Sequence, residues 1–427
     1  MSKTKSKKTK KKAASKASYK PLPSKLKVIG LAICLARCFI LYFQSLSFGY
    51  VLDDTIVFTE NNYVKRGLAG YGDILSHDSF SGYFGEQKNL VQGARYRPLS
   101  LLTFATEYAL FGANSSVSHL LNILLYGLCC FVGFITLRRL FREKSSGYKI
   151  LYGTAAAISI MLYLFHPIHV EAIANVKGRD EILSLLFSLL TLQVSLKYVD
   201  QKKIVYLILI PLLYFTGLLA KENTITFMAI IPAAILLFRP KQKKAMFLVL
   251  GLLFIMSLCY LGLRYSIIGY LLGDEPSTDL MNNSFVGMNT MQRYATIFYT
   301  LLIYLKLHIF PHPLTHDYYP YHIPIMDFSN WQVWLSIGIH VLLIVIGFLW
   351  MKKRKKVAFG LFLYFAAMSI VSNLVVSIGT FMNERFAFAA SLGMCIIFGY
   401  ILTTIAKKSG ENKQLLLNVL VGTILLL

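Results

Sequence analysis

Residues 331–356 read WQVWLSIGIHVLLIVIGFLWMKKRKK. Twenty residues without a single Lys, Arg, Asp or Glu run into five consecutive basic side chains. At a rise of about 1.5 Å per residue such a run is about 30 Å long, the thickness of a bilayer's hydrocarbon core. A basic cluster directly after an apolar span marks the cytoplasmic side. The stretch therefore predicts a helical membrane-crossing chain and orients it.

The pattern recurs in both directions. Apolar spans are expected at 28–50, 116–138, 149–165, 181–198, 204–220, 224–238, 246–268, 331–350, 357–378, 386–406 and from 415 onward, about 11 in all. The N-terminal tail and segments 138–149, 197–203, 239–244, 352–356 and 407–413 hold 31 of the 44 Lys and Arg. They hold only three of the 20 acids, Glu143, Asp200 and Glu411. This asymmetry places the N-terminus and those segments in the cytoplasm and the remaining acids on the other side or at its boundary. Residues 1–27 carry eleven Lys and no acid, and read as a disordered basic cytoplasmic tail. Much of the net charge of +24 lies there, so it signals no nucleic-acid partner. Residues 28–427 form one multi-pass domain, with 51–115 as first extracytoplasmic loop and 269–330 as a second large outer segment. Segment 294–311, although apolar, is expected to be re-entrant or interfacial, because a crossing there would put KKRKK on the wrong side. The last span is cut off at Leu427, so the chain reads as part of something longer.

Composition agrees with this class. Of 427 residues 56% are hydrophobic and 15% charged, whereas soluble domains carry about 25% charge. A soluble enzyme, a disulfide scaffold and a disordered chain are excluded. The six Cys all fall within apolar spans and read as packing.

Chemistry-bearing residues gather on the outer face. Asp53 and Asp54 follow the first span at once; paired carboxylates there either form a solvated helix end or supply a general base. Arg95 and Arg97 precede an amphipathic stretch at 99–112 that is expected along the membrane surface. The segment HPIHVEAIANVKGRDEIL (166–183) places His166, His169, Glu171, Lys177, Arg179, Asp180 and Glu181 within sixteen residues. His166, His169 and Glu171 allow a metal site in principle, but the spacing matches no zinc pattern and Pro167 interrupts the helix; hydrogen-bonded structural His is the alternative. Lys177 and Arg179, with Gly178 between them, suit an anion such as phosphate. Two short spans meet at Ala220-Lys221-Glu222-Asn223, a hairpin that would line a cavity. Lys221–Glu222 and Glu384–Arg385 are each either self-paired or part of the same anion site. Asp317, Tyr318 and Tyr319, in a Pro-, His- and Tyr-rich segment, contact a sugar or peptide or form an ordered lid.

Taken together, DD after the first span, YRPLSLLTF, HLLNILLY, LFHPIHVEAIANVKGRDEIL, LLAKEN, DYYPYHIP and ERFAFAAS resemble, in order, the membrane part of the transmembrane-and-tetratricopeptide-repeat protein O-mannosyltransferases and their bacterial relatives. The resemblance runs from about residue 48 to 400. It lacks the repeat array, which favours a bacterial plasma membrane, or an endoplasmic reticulum membrane if the chain is eukaryotic. It implies an all-α C-type glycosyltransferase bundle that takes a sugar, mannose for this family, from a polyprenyl- or dolichyl-phosphate donor. Transfer would go with inversion to an acceptor hydroxyl of a protein Ser/Thr or a glycan on the extracytoplasmic face. Carried over, one of Asp53 and Asp54 is the base, and Arg179, Lys221 and Arg385, with Lys177 beside them, are the phosphate contacts. No cofactor and no metal is implied. The rivals are a multi-pass transporter and a polysaccharide- or lipid-assembly membrane protein.

Overall fold

The computed structural model describes residues 21–87, 95–143, 145, 147–270, 279–280, 282–318 and 322–408. The expected span from 415 onward and residues 1–20 of the basic tail lie outside them. Among the described residues there are helices and no strands. Six of the described helices are long and apolar enough to cross a membrane, including Ser115–Phe141, Lys243–Ile268 and Trp331–Trp350. A seventh candidate, Ala155–Phe165 with Pro167–Ala174, is bent by 57°, where Pro167 removes a backbone donor.

Local chemistry explains the ends of these helices. Asn114 accepts the Val117 N–H at 3.3 Å to open the 115–141 helix, and Thr154 does the same for Ala157 at 3.1 Å. Gly269, at φ +89°, closes the 243–268 helix in the left-handed conformation that Gly adopts without steric cost. Small residues let the helices approach closely. A Cβ on Gly393 would lie 2.4 Å from the Gly360 carbonyl oxygen, so helices Lys355–Met368 and Phe388–Lys408 meet backbone to backbone.

The short hairpin is as expected. Val205–Ala220 ends at Lys221, a 3-10 turn Glu222–Thr226 follows, and Phe227–Phe238 returns. The segment expected to be re-entrant or interfacial is one continuous helix, Thr290–Ile309. Its first half meets Met326 and Ser336, and its second half meets Asn383 and His166. All of these partners lie toward one face of the bundle, so the helix stays on that face. On the opposite face Asp200 holds Arg139 at 3.1 Å, Arg142 at 2.6 Å and Arg239 at 2.9 Å, tying together three of the basic connections.

Candidate active site

A cavity of about 290 Å³ opens where the 175–178 turn, the 221–223 turn, the 260–264 end of the Lys243–Ile268 helix and the 370–378 loop come together. The 175–178 turn is built by three side chains. Asn175 caps the Lys177 N–H at 3.0 Å. Asn122, from the 115–141 helix, donates to the carbonyls of Asn175 and Val176 at 3.1 and 3.2 Å. Asp54 accepts the same Lys177 N–H at 2.8 Å. The first loop is thereby fastened to the turn, and a cluster of Val57, Phe58, Leu101, Phe104 and Val176 packs beneath it.

The two adjacent aspartates have different jobs. Asp54 is fully buried, and its second oxygen accepts the Val51 N–H at 3.1 Å. Both carboxylate oxygens are thus spent on backbone amides, and burial raises its pKa. Asp53 is about a third exposed (35%) and pairs with the Lys177 ammonium. That ammonium holds the Asp53 carboxyl well below the usual carboxylate range. Of the two, Asp53 has an oxygen available to a substrate, and it stands one ion pair from the cavity.

Cations dominate the cavity lining. Among the described residues Arg95, Arg97, Lys177, Lys221, Arg264 and Arg385 face it, with Asp180 and Glu222 as the acids. Arg97 grips Glu222 with two nitrogens, Nε at 3.0 Å, and reaches Asp180 at 2.7 Å. Lys221 pairs with Glu181, and Arg385 with Glu171. Arg95 differs: its guanidinium lies over the Phe80 ring at 5.1 Å, and no carboxylate partner is found among the described residues. Burial, and then the neighbouring Arg97, lower its pKa to about 10. An incoming anion would relieve both effects. The apolar part of the lining is Ile225, Tyr260, Leu261, Ile370, Val371 and Phe386, and Lys221 and Arg385 lie over the Phe386 ring at 5.7 and 5.3 Å.

The structure brings together Lys177, Asp180, Lys221, Glu222, Arg385 and Arg97, with Asp53 alongside. It places Arg179 elsewhere. That side chain is 1% exposed and pairs with Glu107 at 2.7 Å. It donates to the Asn122 side-chain oxygen at 2.8 Å and lies over Phe104 at 4.3 Å. Arg179 therefore holds Asn122, which holds the turn, and does not face the phosphate position expected for it. The physical reason is helical phase: Arg179 opens the Arg179–Gln201 helix and points back into the bundle, while Lys177 is still in the turn.

His166, His169 and Glu171 are directed to separate partners. His166 Nε2 donates to the His308 carbonyl at 3.2 Å and its Nδ1 accepts the Ile168 N–H at 3.3 Å. His169 bridges the Tyr126 hydroxyl at 2.9 Å and Ser391 at 2.7 Å. Glu171 accepts the Arg385 N–H at 2.8 Å as well as its guanidinium. Among the described residues no His, Cys, Asp and Glu cluster is arranged as a metal ligand set. Glu384 accepts from the Thr315 N–H at 2.7 Å and the Tyr318 hydroxyl at 3.1 Å, while Asp317 accepts the Tyr318 N–H at 2.7 Å. These contacts tie the 311–318 segment to Glu384, the neighbour of Arg385, but none of its residues lines the cavity; Tyr319 lies outside the described residues. Arg95, noted from sequence only as preceding the 99–112 stretch with Arg97, was not given a site role. A signal for it exists: Pro98 disfavours helix just before it, and residues two apart on extended backbone share a side, so Arg95 and Arg97 point together.

These features define an all-helical polytopic membrane protein with a cation-lined cavity at one end of the bundle, part of its lining apolar. Comparison with named proteins returns the similarity read from the motifs. The chain is 30% identical over 203 residues to the Drosophila melanogaster protein O-mannosyl-transferase Tmtc1, which covers 46% of this chain and 21% of that one. It is 25% identical to human TMTC4 over 94% of this chain and 58% of the relative, and 24% identical to mouse TMTC4 over 85% and 54%. The chain thus spans about half the length of these TMTC4 relatives. No family model matches it. Among solved structures, ArnT from Cupriavidus metallidurans bound to undecaprenyl phosphate aligns with 93% of this chain and 64% of its own, at 13% identity and a TM-score of 0.46.

Proposed function

We propose that this chain is the membrane domain of a glycosyltransferase that moves mannose from a polyprenyl- or dolichyl-phosphate donor to the hydroxyl of a protein Ser or Thr. The carrying observation is the cavity lining, six basic side chains against two acidic ones, with no carboxylate partner for Arg95 among the described residues. A lipid-phosphate leaving group departs with negative charge, so it needs cations placed in advance rather than a proton donor. Arg95, Lys177 and Arg385 would take that charge, and Tyr260, Ile370 and Phe386 would lie beside the lipid chain. The acceptor oxygen forms its bond to the anomeric carbon as the carbon–oxygen bond to phosphate breaks. The acceptor's proton passes to Asp53, which the Lys177 ammonium keeps ionised, and so able to accept it, until the acceptor arrives. Lys177 has three N–H donors, so it can hold Asp53 and the phosphate at once. Similarity to the protein O-mannosyl-transferases supports the choice of mannose and of a protein acceptor.

The test uses the full chain in nanodiscs with radiolabelled mannosyl-phosphate lipid and a Ser/Thr-rich acceptor peptide. Asp53→Asn should elute as folded protein and lose transfer by on the order of 10²–10⁴, whereas Arg95→Gln should raise the donor KM more than it lowers kcat. Full transfer by Asp53→Asn would remove the proposed base.

A further inference from the structure

The cations of the cavity lining suit a phosphate, but they do not recognise a sugar. Three uncharged polar side chains share that lining: Asn175 from the 175–178 turn, Asn223 from the 221–223 turn and Ser377 from the 370–378 loop. All three are half-buried, and the reaction proposed above gives none of them a contact with substrate. The acids of the lining are already engaged. Glu222 gives both oxygens to Arg97, and Asp180 lies between Arg97 at 2.7 Å and Lys221 at 3.9 Å.

Each amide is held at one end, and the chemistry of its partner decides which end. Asn175 meets the Lys177 N–H at 3.0 Å. A backbone N–H only donates, so the Asn175 oxygen faces it and the amide nitrogen is left over. Asn223 meets the Glu181 carboxylate at 3.3 Å. That carboxylate is paired with the Lys221 ammonium and only accepts, so the Asn223 nitrogen faces it and the oxygen is left over. Among the described residues neither leftover atom has a hydrogen-bond partner, and the Ser377 hydroxyl has none either. The lining thus offers a fixed donor, a fixed acceptor and a hydroxyl that serves as either.

This set excludes some ligands. A phosphate only accepts and leaves the Asn223 oxygen unmet; an ammonium only donates and leaves the Asn175 nitrogen unmet. A ring hydroxyl both donates and accepts, so an uncharged sugar ring answers all three groups. Granted that a lipid-phosphate sugar docks in this cavity, we infer that Asn175, Asn223 and Ser377 form its sugar subsite and select a neutral hexose by its hydroxyls.

The full chain in nanodiscs is titrated with two polyprenyl phosphodiesters of equal charge, one carrying mannose and one carrying a methyl group in its place. The wild type should bind the mannosyl lipid about 10²-fold more tightly, each hydrogen bond accounting for about fivefold to tenfold. Asn223→Ala and Ser377→Ala should each lose about fivefold to tenfold for the mannosyl lipid and keep the methyl lipid within about twofold. Asn175→Ser, which can still cap the Lys177 N–H, should behave alike. With mannosyl lipids that each lack one ring hydroxyl, every variant should be indifferent to a hydroxyl whose loss weakens wild-type binding. Variants that keep the wild-type preference would overturn the subsite. So would equal weakening of both lipids, the mark of a displaced turn. Equal binding of both lipids by the wild type would overturn it and leave the phosphate site standing, whereas a wild type that binds neither lipid would remove the donor assignment and the subsite with it.

Discussion

Arg179 shows how residue identity and residue role separate. The same guanidinium that could clamp a phosphate is spent internally, on Glu107, Asn122 and the Ser118 carbonyl. Both members of the ion pair are 1% exposed. Removing one partner of such a pair leaves a buried charge without compensation, at a cost of about 3–5 kcal/mol. Glu107→Gln should therefore lower the denaturant midpoint of the detergent-solubilised protein by a corresponding amount. An unchanged midpoint would show that the pair holds nothing, and with it the account of how Asn122 is oriented would fall. The aspartates make the same point in the opposite direction. Adjacent in sequence and alike in chemistry, they differ because two backbone amides reach Asp54 and an ammonium reaches Asp53.

At the scale of elements, the 175–178 turn is the hinge of the site. Gly178 packs so tightly that a Cβ there would sit 2.0 Å from the Ala172 carbonyl oxygen and 2.7 Å from its carbon. Backbone, unlike the tip of a side chain, has little room to yield, so Gly178→Ala must displace the turn that carries Lys177. Overpacking of this kind costs about 1–3 kcal/mol, and the shift should also raise the donor KM. Thermal unfolding and donor titration check the two effects separately; a variant with wild-type values in both would mean the turn can relax without moving Lys177. Much at this scale was legible beforehand. Apolar runs and their basic ends forecast the crossing helices, and the charged turn at 220–223 forecast a cavity wall, because hydrocarbon leaves the chain few choices. What stayed hidden were relations between elements. That Arg95 faces the cavity while Arg179 faces Glu107 depends on how the first loop folds back over the 175–178 turn, and no local periodicity encodes that.

At the scale of the whole molecule, the proposed chemistry requires the cavity to be extracytoplasmic. The charge distribution argues for it: 31 of 44 basic residues and only three of 20 acids belong to the segments expected in the cytoplasm, and three of those segments converge on Asp200 at the end of the bundle away from the cavity. Single-cysteine labelling decides the matter. Five native Cys are buried, and the exposed Cys259 is replaced by Ser in the parent protein. Gly72→Cys and Asp327→Cys are exposed on the cavity side, and Lys203→Cys and Lys353→Cys are exposed on the other. A membrane-impermeant maleimide applied to intact cells or spheroplasts, or to sealed inside-out vesicles with the lumenal face outward if the chain resides in an internal membrane, should label the first pair at once. The second pair should label only after the membrane is opened. The reverse pattern would put the cavity in the cytoplasm, where a sugar presented on the outer leaflet could not reach Arg95 or Asp53.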